Sequence, residues 1–501
     1  MELLQGFISI LNPVTMLLII GGVLGGLVIG ALPGLSAFTA LAIMLPFTFG
    51  MEPVNGISFL MAVYVGGCSG GLISAILLGI PGTPSSIATC FDGYPMAKKG
   101  MAKQALAVAV LFSFLGGIFG ALVLSFIGPY IAKVALKFNS YDYFAIILFA
   151  LTTVSALSEG SMIKGLLSCL LGVALGFVGT DSLSSYYRYT FGINKLANGF
   201  NLVPVLIGLF AVSQIMLSAR EKGKTSRIES TSDVAQQKIK GFGISLKEFF
   251  FHLKTAVPSA LIGLVIGVLP GLGGNVSNLL AYTYAKKTSK YPEKFGTGIL
   301  DGIVASETAN NATVGGALII LLTLGIPGDN ATSMIMAGFQ MHDVTPGPLL
   351  FKTSGALVYA ILATFIVANI AFFLIEYFGL PVFAKMLSIP STLLLPVVIV
   401  CCFVGSYCAN NNTLDIFIMV LFGFLGYILK RNKYPLAPLV VGFILAPALE
   451  TYLRRSLMKT DGAFLPIIQS PLAAVFLLCT VAAIAFTIVG EVKKAKAAQT
   501  A

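Results

Sequence analysis

The chain has 501 residues, of which 57% are hydrophobic and 10% are charged, and its formal net charge is +11. Because soluble globular proteins carry about 25% charged residues, this composition excludes an ordinary water-soluble domain. The excess of Lys and Arg does not indicate a nucleic-acid partner, because these residues lie in short connectors between apolar runs, where they set membrane topology and contact lipid headgroups.

Apolar runs cover most of the chain from its first residues onward. Met1–Gly6 lacks a basic region and a clear cleavage site, so we expect the first apolar stretch to be retained as a span. Uncharged runs at Ala105–Phe126, Ala356–Ile375 and Pro466–Val489 are each long enough to cross about 30 Å of hydrocarbon. The sequence therefore predicts an all-α polytopic membrane protein with roughly 10–12 transmembrane segments.

A polar stretch separates two membrane parts. We divide the chain into a first membrane repeat (1–219), a polar linker (220–255), a second membrane repeat (256–490) and a basic tail (491–501). The excess of Lys and Arg places the linker and the tail in the cytoplasm. The short, proline-interrupted segment Pro435–Leu449 lies between two basic clusters and is expected to dip into the membrane and return.

Two sequence motifs occur twice along the chain. Gly26-Leu-Val-Ile-Gly-Ala-Leu-Pro-Gly-Leu-Ser36 returns as Gly263-Leu-Val-Ile-Gly-Val-Leu-Pro-Gly-Leu-Gly273, and Gly70–Gly82 is echoed by Gly316–Gly328. This pattern indicates two related halves. The expected number of spans between the two copies is odd, which would invert the second half relative to the first. A re-entrant hairpin at Gly70–Gly82 would change that number.

Each motif contains a Pro-Gly pair: Leu32-Pro-Gly34, Ile80-Pro-Gly82, Leu269-Pro-Gly271 and Ile326-Pro-Gly328. Proline removes a backbone donor and glycine permits positive φ, so each pair is expected to end one helical segment and begin another, giving broken or re-entrant helices. Freed carbonyls can bind a cation, and the amides that open the next segment can bind an anion. The alternative is a kinked helix whose backbone groups are satisfied by its neighbours.

Hydroxyl and amide side chains follow these breaks. They can cap a helix or hydrogen-bond a carboxylate, and the asparagines favour binding over capping more than the hydroxyls do. The candidate substrate contacts at and after the breaks are Pro33, Gly34, Ser36, Gly82, Thr83, Ser85, Ser86, Asn275, Asn278, Gly328, Asn330 and Thr332.

The most polar intramembrane stretch is Asp301–Thr313. Acids inside a membrane bundle are costly unless they are paired, protonated or bound to an ion. The candidate coupling-ion residues are Glu307, Asn310, Asn311, Thr313 and Asp329. They offer hard oxygen ligands for Na⁺, while a protonatable Glu307 would serve H⁺ instead.

No catalytic residue, organic cofactor or metal centre beyond this Na⁺ site is expected. The seven cysteines are scattered over apolar segments and do not form a disulfide framework or a metal motif. Asn410–Asn412 resembles the acidic patch and is either its weaker counterpart or a loop between spans.

Several motifs together resemble the large membrane subunit of the tripartite tricarboxylate transporters, the TctA family. They are the Leu-Pro-Gly-Leu and Gly-Ile-Pro-Gly repeats, Glu307–Gly316, Thr345–Phe351, Gly442–Glu450 and Leu453–Leu457. The resemblance runs from about Leu17 to about Gly462. One departure is Asp329, which stands where the family usually has a small residue and favours a cation role or a narrower substrate than citrate.

The resemblance implies a secondary transporter of the bacterial inner membrane. It implies cation-coupled uptake of citrate or a related organic acid, by an elevator-type movement as in other tripartite systems. The implied partners are a small membrane subunit, TctB-like, and a periplasmic solute-binding protein, TctC-like.

Two other classes of protein stay open as alternatives. Gly67-Cys-Ser-Gly70 matches the motif of an intramembrane serine protease acting through Ser69, but the chemistry needs a histidine base, and neither His252 nor His342 lies on an expected partner span. A passive anion channel is less compatible with two unequal halves in one chain, which favour alternating access.

Overall fold

The computed structural model describes residues 2–33, 35–156, 161–181, 183–220, 241–386, 391–408 and 410–499. Helices account for nearly all of the regular structure in this part of the chain, and the only strands there are β1 (Gly179–Thr180) and β2 (Tyr187–Arg188), which pair antiparallel. The prediction of an all-α polytopic membrane protein is confirmed.

The first half contains ten helices among its described residues. They are α1 (Glu2–Ile10), α2 (Pro13–Ala31), α3 (Ala37–Met44), α4 (Pro53–Leu78), α5 (Ile87–Lys98), α6 (Ala102–Ala135), α7 (Ser140–Ala156), α8 (Met162–Gly176), α9 (Leu202–Leu206) and α10 (Ser213–Arg220). A π-helical turn, Ile207–Val212, joins α9 to α10.

The second half contains eleven helices among its described residues. They are α11 (Leu246–Val268), α12 (Gly273–Thr288), α13 (Leu300–Leu324), α14 (Asn330–Met341), α15 (Leu350–Thr353), α16 (Gly355–Met386), α17 (Ser391–Cys408), α18 (Thr413–Arg431), α19 (Leu436–Lys459), α20 (Leu465–Gln469) and α21 (Pro471–Gln499).

Seven of the described helices are long and apolar enough to cross a membrane. They are Pro13–Ala31, Pro53–Leu78, Ala102–Ala135, Leu246–Val268, Gly355–Phe383, Thr413–Arg431 and Leu436–Lys459. Shorter apolar helices supply the other candidate membrane segments: Ala37–Thr48, Ser140–Ala156, Met162–Gly176, Leu202–Leu217, Val398–Cys408 and Pro471–Ala485. Helix breaks explain why some of the membrane segments are short. The first Pro-Gly pair, for example, separates α3 from α2.

Some segment boundaries differ from those expected. The prediction that Pro435–Leu449 dips and returns is wrong, because α19 is a single helix that continues through Pro447. Residues 221–240, most of the predicted linker, lie outside the described residues, and α11 begins at Leu246, inside the range predicted for the linker. In the predicted tail, α21 continues to Gln499.

The two halves repeat the same close helix contacts. In the first half, α2 runs parallel to α4, and a Cβ at Gly30 would lie 2.5 Å from the carbonyl oxygen of Gly67. In the second half, α11 runs parallel to α13, and a Cβ at Gly267 would collide with the carbonyl oxygen of Thr313. Glycine at both places permits a backbone contact that any side chain would prevent.

Contacts between helices also fix their relative directions. α4 runs parallel to α16, because Ser58 pairs with Thr364 and Ser69 with Glu376. α16 runs antiparallel to α6, and α6 runs parallel to α13. α4 and α13, the corresponding helices of the two motif copies, therefore run in opposite directions, which is the relation that inverted repeats require.

At the contact between α6 and α16, one side chain fills the space that a glycine leaves. Asn369 of α16 is buried and lies against Gly117 of α6, where any Cβ would collide with the Asn369 amide oxygen. Its amide nitrogen donates to the carbonyl oxygen of Phe365 at 2.8 Å. By contrast, α6 meets α13 backbone to backbone at Gly116 and Gly120.

A buried aspartate ties α5 of the first half to the second half. Oδ1 of Asp92 accepts hydrogen bonds from the backbone N–H groups of Gly296, Gly298 and Ile299 at 2.9, 2.7 and 3.0 Å. Its Oδ2 accepts from the Tyr282 hydroxyl at 2.9 Å. These bonds satisfy the carboxylate in place of water, which explains how it can be buried.

Candidate functional site

Each Pro-Gly pair interrupts a helix, as predicted. α2 ends at Ala31 and α3 begins at Ala37, while α11 ends at Val268 and α12 begins at Gly273. α4 and α13 end at glycines in the left-handed region, Gly79 with φ 66° and Gly325 with φ 71°. These glycines allow the chain to turn sharply before the next helix begins.

The four breaks converge on one cavity of about 70 Å³. It is bounded by the start of α3, the start of α12, the segments that precede α5 and α14, and the middle of α4 and α13. The predicted site residues that line it are Ser36, Thr83, Ser85, Asn275, Asn310, Thr313, Asp329 and Asn330. Residues widely separated in sequence therefore surround a single polar space, which we call the four-break cavity.

Asp329 is held by two kinds of contact. It caps α14, with its Oδ1 accepting from the Thr332 backbone N–H at 2.7 Å while the Thr332 hydroxyl accepts from the Asp329 N–H at 2.8 Å. Its Oδ2 accepts from the Tyr64 hydroxyl of α4 at 2.7 Å. The carboxylate thus faces the four-break cavity in a fixed orientation, and it supplies the cavity with an acid on the side of the second half.

The corresponding break in the first half is capped without a charge. Thr83 and Ser86 form the capping pair there, and the Thr83 hydroxyl lies 3.0 Å from the Ser85 hydroxyl. Thr83 occupies the position that Asp329 occupies in the second motif copy. The two sides of the cavity therefore differ in charge, although their backbones are built alike.

Amide side chains contribute oxygen acceptors beside the cavity. Asn278 donates to the Ser85 carbonyl oxygen, and its own Oδ1 is buried without a hydrogen-bond partner in the described structure. Asn330 Oδ1 is likewise unpartnered among the described residues. Asn310 donates to the Cys68 carbonyl oxygen at 3.4 Å, which leaves its Oδ1 near Gly274. Buried unpartnered oxygens are uncommon and fit the ligand needs of a hard cation.

Glu307 and Asn311 lie elsewhere on α13 and do not line the four-break cavity. Glu307 is fully buried, with one carboxylate oxygen accepting from the Thr89 hydroxyl and the other accepting from the Ser113 hydroxyl at 2.9 Å. The Asn311 amide donates to the Glu307 carbonyl oxygen at 3.1 Å, within the same helix. The acidic patch of the sequence therefore divides between two faces of α13.

The remaining predicted residues surround the cavity or lie outside it. Gly82 and Gly328 pack against helix backbone, with a Cβ at Gly328 lying 2.5 Å from Ala317 Cα. Ser86 and Thr332 are buried capping residues. Pro33 is exposed, and Gly34 lies outside the described residues.

Two contacts between α4 side chains and acids were not predicted from the sequence, and neither was one of the acids, Glu376. Tyr64 contacts Asp329, and Ser69 donates at 2.9 Å to Glu376 of α16. Glu376 carried a signal, since a lone acid in a long apolar helix marks a functional candidate. Tyr64 carried none, because a tyrosine in an apolar run looks like a packing residue.

The partner of Ser69 also bears on the serine protease alternative. Ser69 bonds to a carboxylate, whereas His252 bonds to Asp301 at 2.8 Å and His342 packs over Gly56. No histidine contacts Ser69 in the described part of the chain. A serine nucleophile of the predicted type would need that contact.

A larger cavity of about 830 Å³ lies apart from the breaks. It is lined by the loop that follows α8 and by the end of α14, together with Asn410 and Asn412 from the loop before α18. Two of its charged residues are paired with each other, since Arg188 forms a double hydrogen bond to Glu450 with both distances 2.9 Å. Size alone does not make it the functional site, because the paired breaks and the unpartnered amide oxygens lie at the smaller cavity.

Asn410–Asn412 thus belongs to a loop between spans. Asn412 caps α18, accepting from the Leu414 N–H at 3.1 Å, and Asn410 donates to Asp415 at 2.9 Å. No group of three or more His, Cys, Asp or Glu residues that could hold a metal ion occurs in the described ranges.

Paired helix breaks that meet at a buried polar cavity, within a bundle of apolar helices, define a multi-pass membrane protein built like a secondary transporter. The profile of the Tripartite tricarboxylate transporter TctA family matches residues 16–441. The chain belongs to this family, which confirms the resemblance found in the sequence. The family is one of transporters, not of enzymes.

Curated relatives are known from Agrobacterium vitis. The "Uncharacterized 52.8 kDa protein in TAR-I ttuC' 3'region" is 35% identical over 97% of this chain and 96% of its own length. The "Uncharacterized protein in TAR-II ttuC' 3'region" is 35% identical over 42% of this chain and 88% of its own length. No solved structure matches the chain.

Proposed function

We propose that the chain is the large transport subunit of a binding-protein-dependent, cation-coupled secondary transporter that takes up a tricarboxylate or a related organic acid anion. The observation that carries this proposal is the convergence of all four breaks, Asp329 included, on one buried cavity in a member of the TctA family. Broken helices at such a place are how secondary transporters bind substrate and coupling ion together.

The difference between the two capping residues supports a division of roles. Asp329, with Asn310, Asn330 and Thr313, offers the acceptor oxygens that Na⁺ needs. On the other side, Ser36, Thr83, Ser85 and Asn275 offer hydroxyl and amide donors with no acid among them. We assign the first group to the coupling ion and the second to the substrate carboxylate.

The size of the four-break cavity supports an order of binding in which the coupling ion precedes the substrate anion. A cavity of about 70 Å³ has room for an ion and a few waters, whereas pockets for small organic ligands are about 300–1,000 Å³. A tricarboxylate therefore requires the chain segments around the breaks to separate. Ion binding at Asp329 would neutralise the acid before the anion enters.

The remaining predicted residues keep secondary roles in this proposal. Asn278, Ser86, Thr332, Gly82 and Gly328 hold the break segments in place. Glu307 and Asn311, on the other face of α13, stay candidates for ion coupling through the protonatable Glu307 carboxyl.

The family expectation supplies the rest of the assembly. We assign the chain to the inner membrane of a bacterium, with a small TctB-like membrane subunit and a periplasmic TctC-like solute-binding protein as partners. The linker and tail would then face the cytoplasm by the positive-inside rule.

Ligand identification followed by uptake tests the proposal. Mass spectrometry of the ligand that co-purifies with the partner binding protein gives the substrate, which is then supplied to proteoliposomes containing both membrane subunits. Uptake should require the binding protein and a cation gradient, and Asp329→Asn should abolish the cation dependence. Asp343→Asn, at an exposed position just after α14, is the matched control. Flux without a gradient and without the binding protein would instead indicate a passive channel.

A further inference from the structure

Glu376 is a buried acid for which the site described above has no use. It lies on α16, a helix otherwise made almost entirely of apolar residues, and its side chain has no solvent exposure. An ionisable group at such a position is costly and is retained for a reason. Neither Glu376 nor Glu307 lines the four-break cavity.

Only one of the two carboxyl oxygens of Glu376 has a hydrogen-bond partner in the described structure. Oε2 accepts a hydrogen bond from the Ser69 hydroxyl at 2.9 Å, and Oε1 is buried with no hydrogen-bond partner in the described structure. Among the described residues, Glu376 forms no ion pair. A carboxylate with a single neutral donor and no cation is poorly compensated for its lost hydration, so the group is expected to be neutral in this state.

The charged neighbours of Glu376 do not favour its ionised form. Glu307 of α13 is the acid whose charge acts on it. α2 has no titratable side chain, and α1 has only Glu2, which bonds to Tyr359. The other titratable residues on the elements packed against α16, and on α16 itself, are Tyr64, Cys68, Lys103, Tyr130, Lys133, Lys352, Tyr359, Tyr377 and Lys385.

Ser69 lies on the helix that connects the Glu376 carboxyl group to the four-break cavity. Ser58 and Ser69 lie about three helical turns apart on the face of α4 that meets α16. On the adjacent face, Cys68 lines the four-break cavity and Tyr64 holds Asp329. A shift of α4 relative to α16 on binding at the cavity would therefore act on the contact between Ser69 and Glu376.

We propose that Glu376 is a proton-binding site of the transport cycle, separate from the ion site at Asp329. In the state described here Oε1 carries the proton and Oε2 accepts from Ser69. When α4 moves and water reaches the carboxyl group, the proton passes to water and Glu376 becomes a carboxylate. The part that concerns the transport cycle rests on the proposed function, whereas proton binding by Glu376 does not.

The first experiment measures protonation directly. Infrared difference spectra of the purified full-length protein between acidic and alkaline buffer should show the C=O band of a protonated carboxyl group that disappears at high pH. Glu376→Gln should lack this band, and Ser69→Ala should keep it at a shifted frequency, because the C=O group loses its donor. Glu2→Gln is the control. An unchanged band in Glu376→Gln, or a Glu376 band that never responds to pH, would overturn the proposal.

The second experiment asks whether the proton takes part in transport. In proteoliposomes with the partner subunits, uptake of the identified ligand at a fixed Na⁺ gradient should rise severalfold when an inward proton gradient is imposed. Glu376→Gln should bind the ligand with unchanged affinity and lose this response. A response that persists in Glu376→Gln, or that is absent in the wild type, contradicts a role in the cycle. If no carboxylate is transported, the proposed function fails, and the infrared result still decides whether Glu376 binds the proton.

Discussion

The hydroxyl of Tyr64 donates a hydrogen bond of 2.7 Å to Oδ2 of Asp329, so a helix of the first half orients the one acid that faces the four-break cavity from the second half. Tyr64 is 1% exposed, and its ring is held by the helix packing around it. Partners that orient a ligand group in this way usually govern ion affinity as strongly as the ligands themselves. The ion site proposed at Asp329 would therefore be shared between the halves.

Tyr64→Phe is expected to weaken cation binding without removing a ligand. The loss of the orienting hydrogen bond should raise the Na⁺ concentration for half-maximal thermal stabilisation by about tenfold, measured against K⁺ at equal ionic strength. Tyr282→Phe is the matched control, since it removes a buried Tyr–Asp hydrogen bond of 2.9 Å at Asp92, and neither residue lines the cavity. Equal shifts in both variants would contradict the prediction.

Although Asn310 and Asn311 are adjacent in sequence, replacing each with alanine should change the cation dependence of uptake to different extents. Asn310 lines the four-break cavity, whereas the Asn311 amide donates to a carbonyl oxygen within its own helix. We expect Asn310→Ala to reduce the cation dependence of uptake strongly and Asn311→Ala to reduce it little. The measurement is initial uptake against Na⁺ concentration at fixed substrate. The reverse order would move the ion site to the Glu307 face of α13.

Gly30→Ala should destabilise the protein, because the added Cβ would lie 2.5 Å from the Gly67 carbonyl oxygen. Forcing a methyl group into such a contact costs about 1–3 kcal/mol. A lower apparent melting temperature in detergent would show it. Gly21→Ala on the same helix is the control, since no atom lies within 4 Å of its added Cβ. Gly21→Ala should be neutral or slightly stabilising, because alanine is the better helix former, so a drop of equal size in Gly21→Ala would show that the contact with Gly67 is not the cause.

The loop after α8 should keep its structure in moderately acidic buffer. The backbone N–H groups of Leu183 and Ser184, together with Arg454, hold the pKa of Asp181 well below its ordinary value of about 3.9. A lowered pKa means that the contribution of Asp181 to stability is present above the ordinary pKa and is lost only as pH falls through the lowered one. Hydrogen exchange of residues 183–201, corrected for its intrinsic pH dependence, should show constant protection from pH 7 to about 4.

Removing the charge should release that loop at neutral pH. Asp181→Asn or Arg454→Gln breaks the 2.5 Å contact between Asp181 and Arg454, whereas Arg455→Gln leaves it intact. The first two variants should exchange faster in residues 183–201 and the third should not. Loss of protection near pH 5 in the wild type would show that Asp181 does not fasten the loop.

The sequence was most informative where backbone chemistry dominates. Proline and glycine dictate a helix break whatever surrounds them, so the four breaks were predictable, and the repeat indicated that they belong together. Which face of α13 each polar residue occupies was not, because the pattern of Glu307–Thr313 is polar all round. The hydrogen bonds of Tyr64 and Ser69 depend on how distant helices pack, and a single sequence carries no direct record of that.

The close contact of Asn369 with Gly117 limits how α6 and α16 can move relative to each other. A side chain lodged in a notch must be lifted out before one helix can slide along the other, so α6 and α16 are expected to travel as one rigid unit. At the seam of α6 with α13, glycines bring bare backbones together, and Ser113 of α6 donates a hydrogen bond of 2.9 Å to Glu307 of α13. Sliding along that seam would have to break this bond, so such a movement would change the surroundings of the Glu307 carboxyl group.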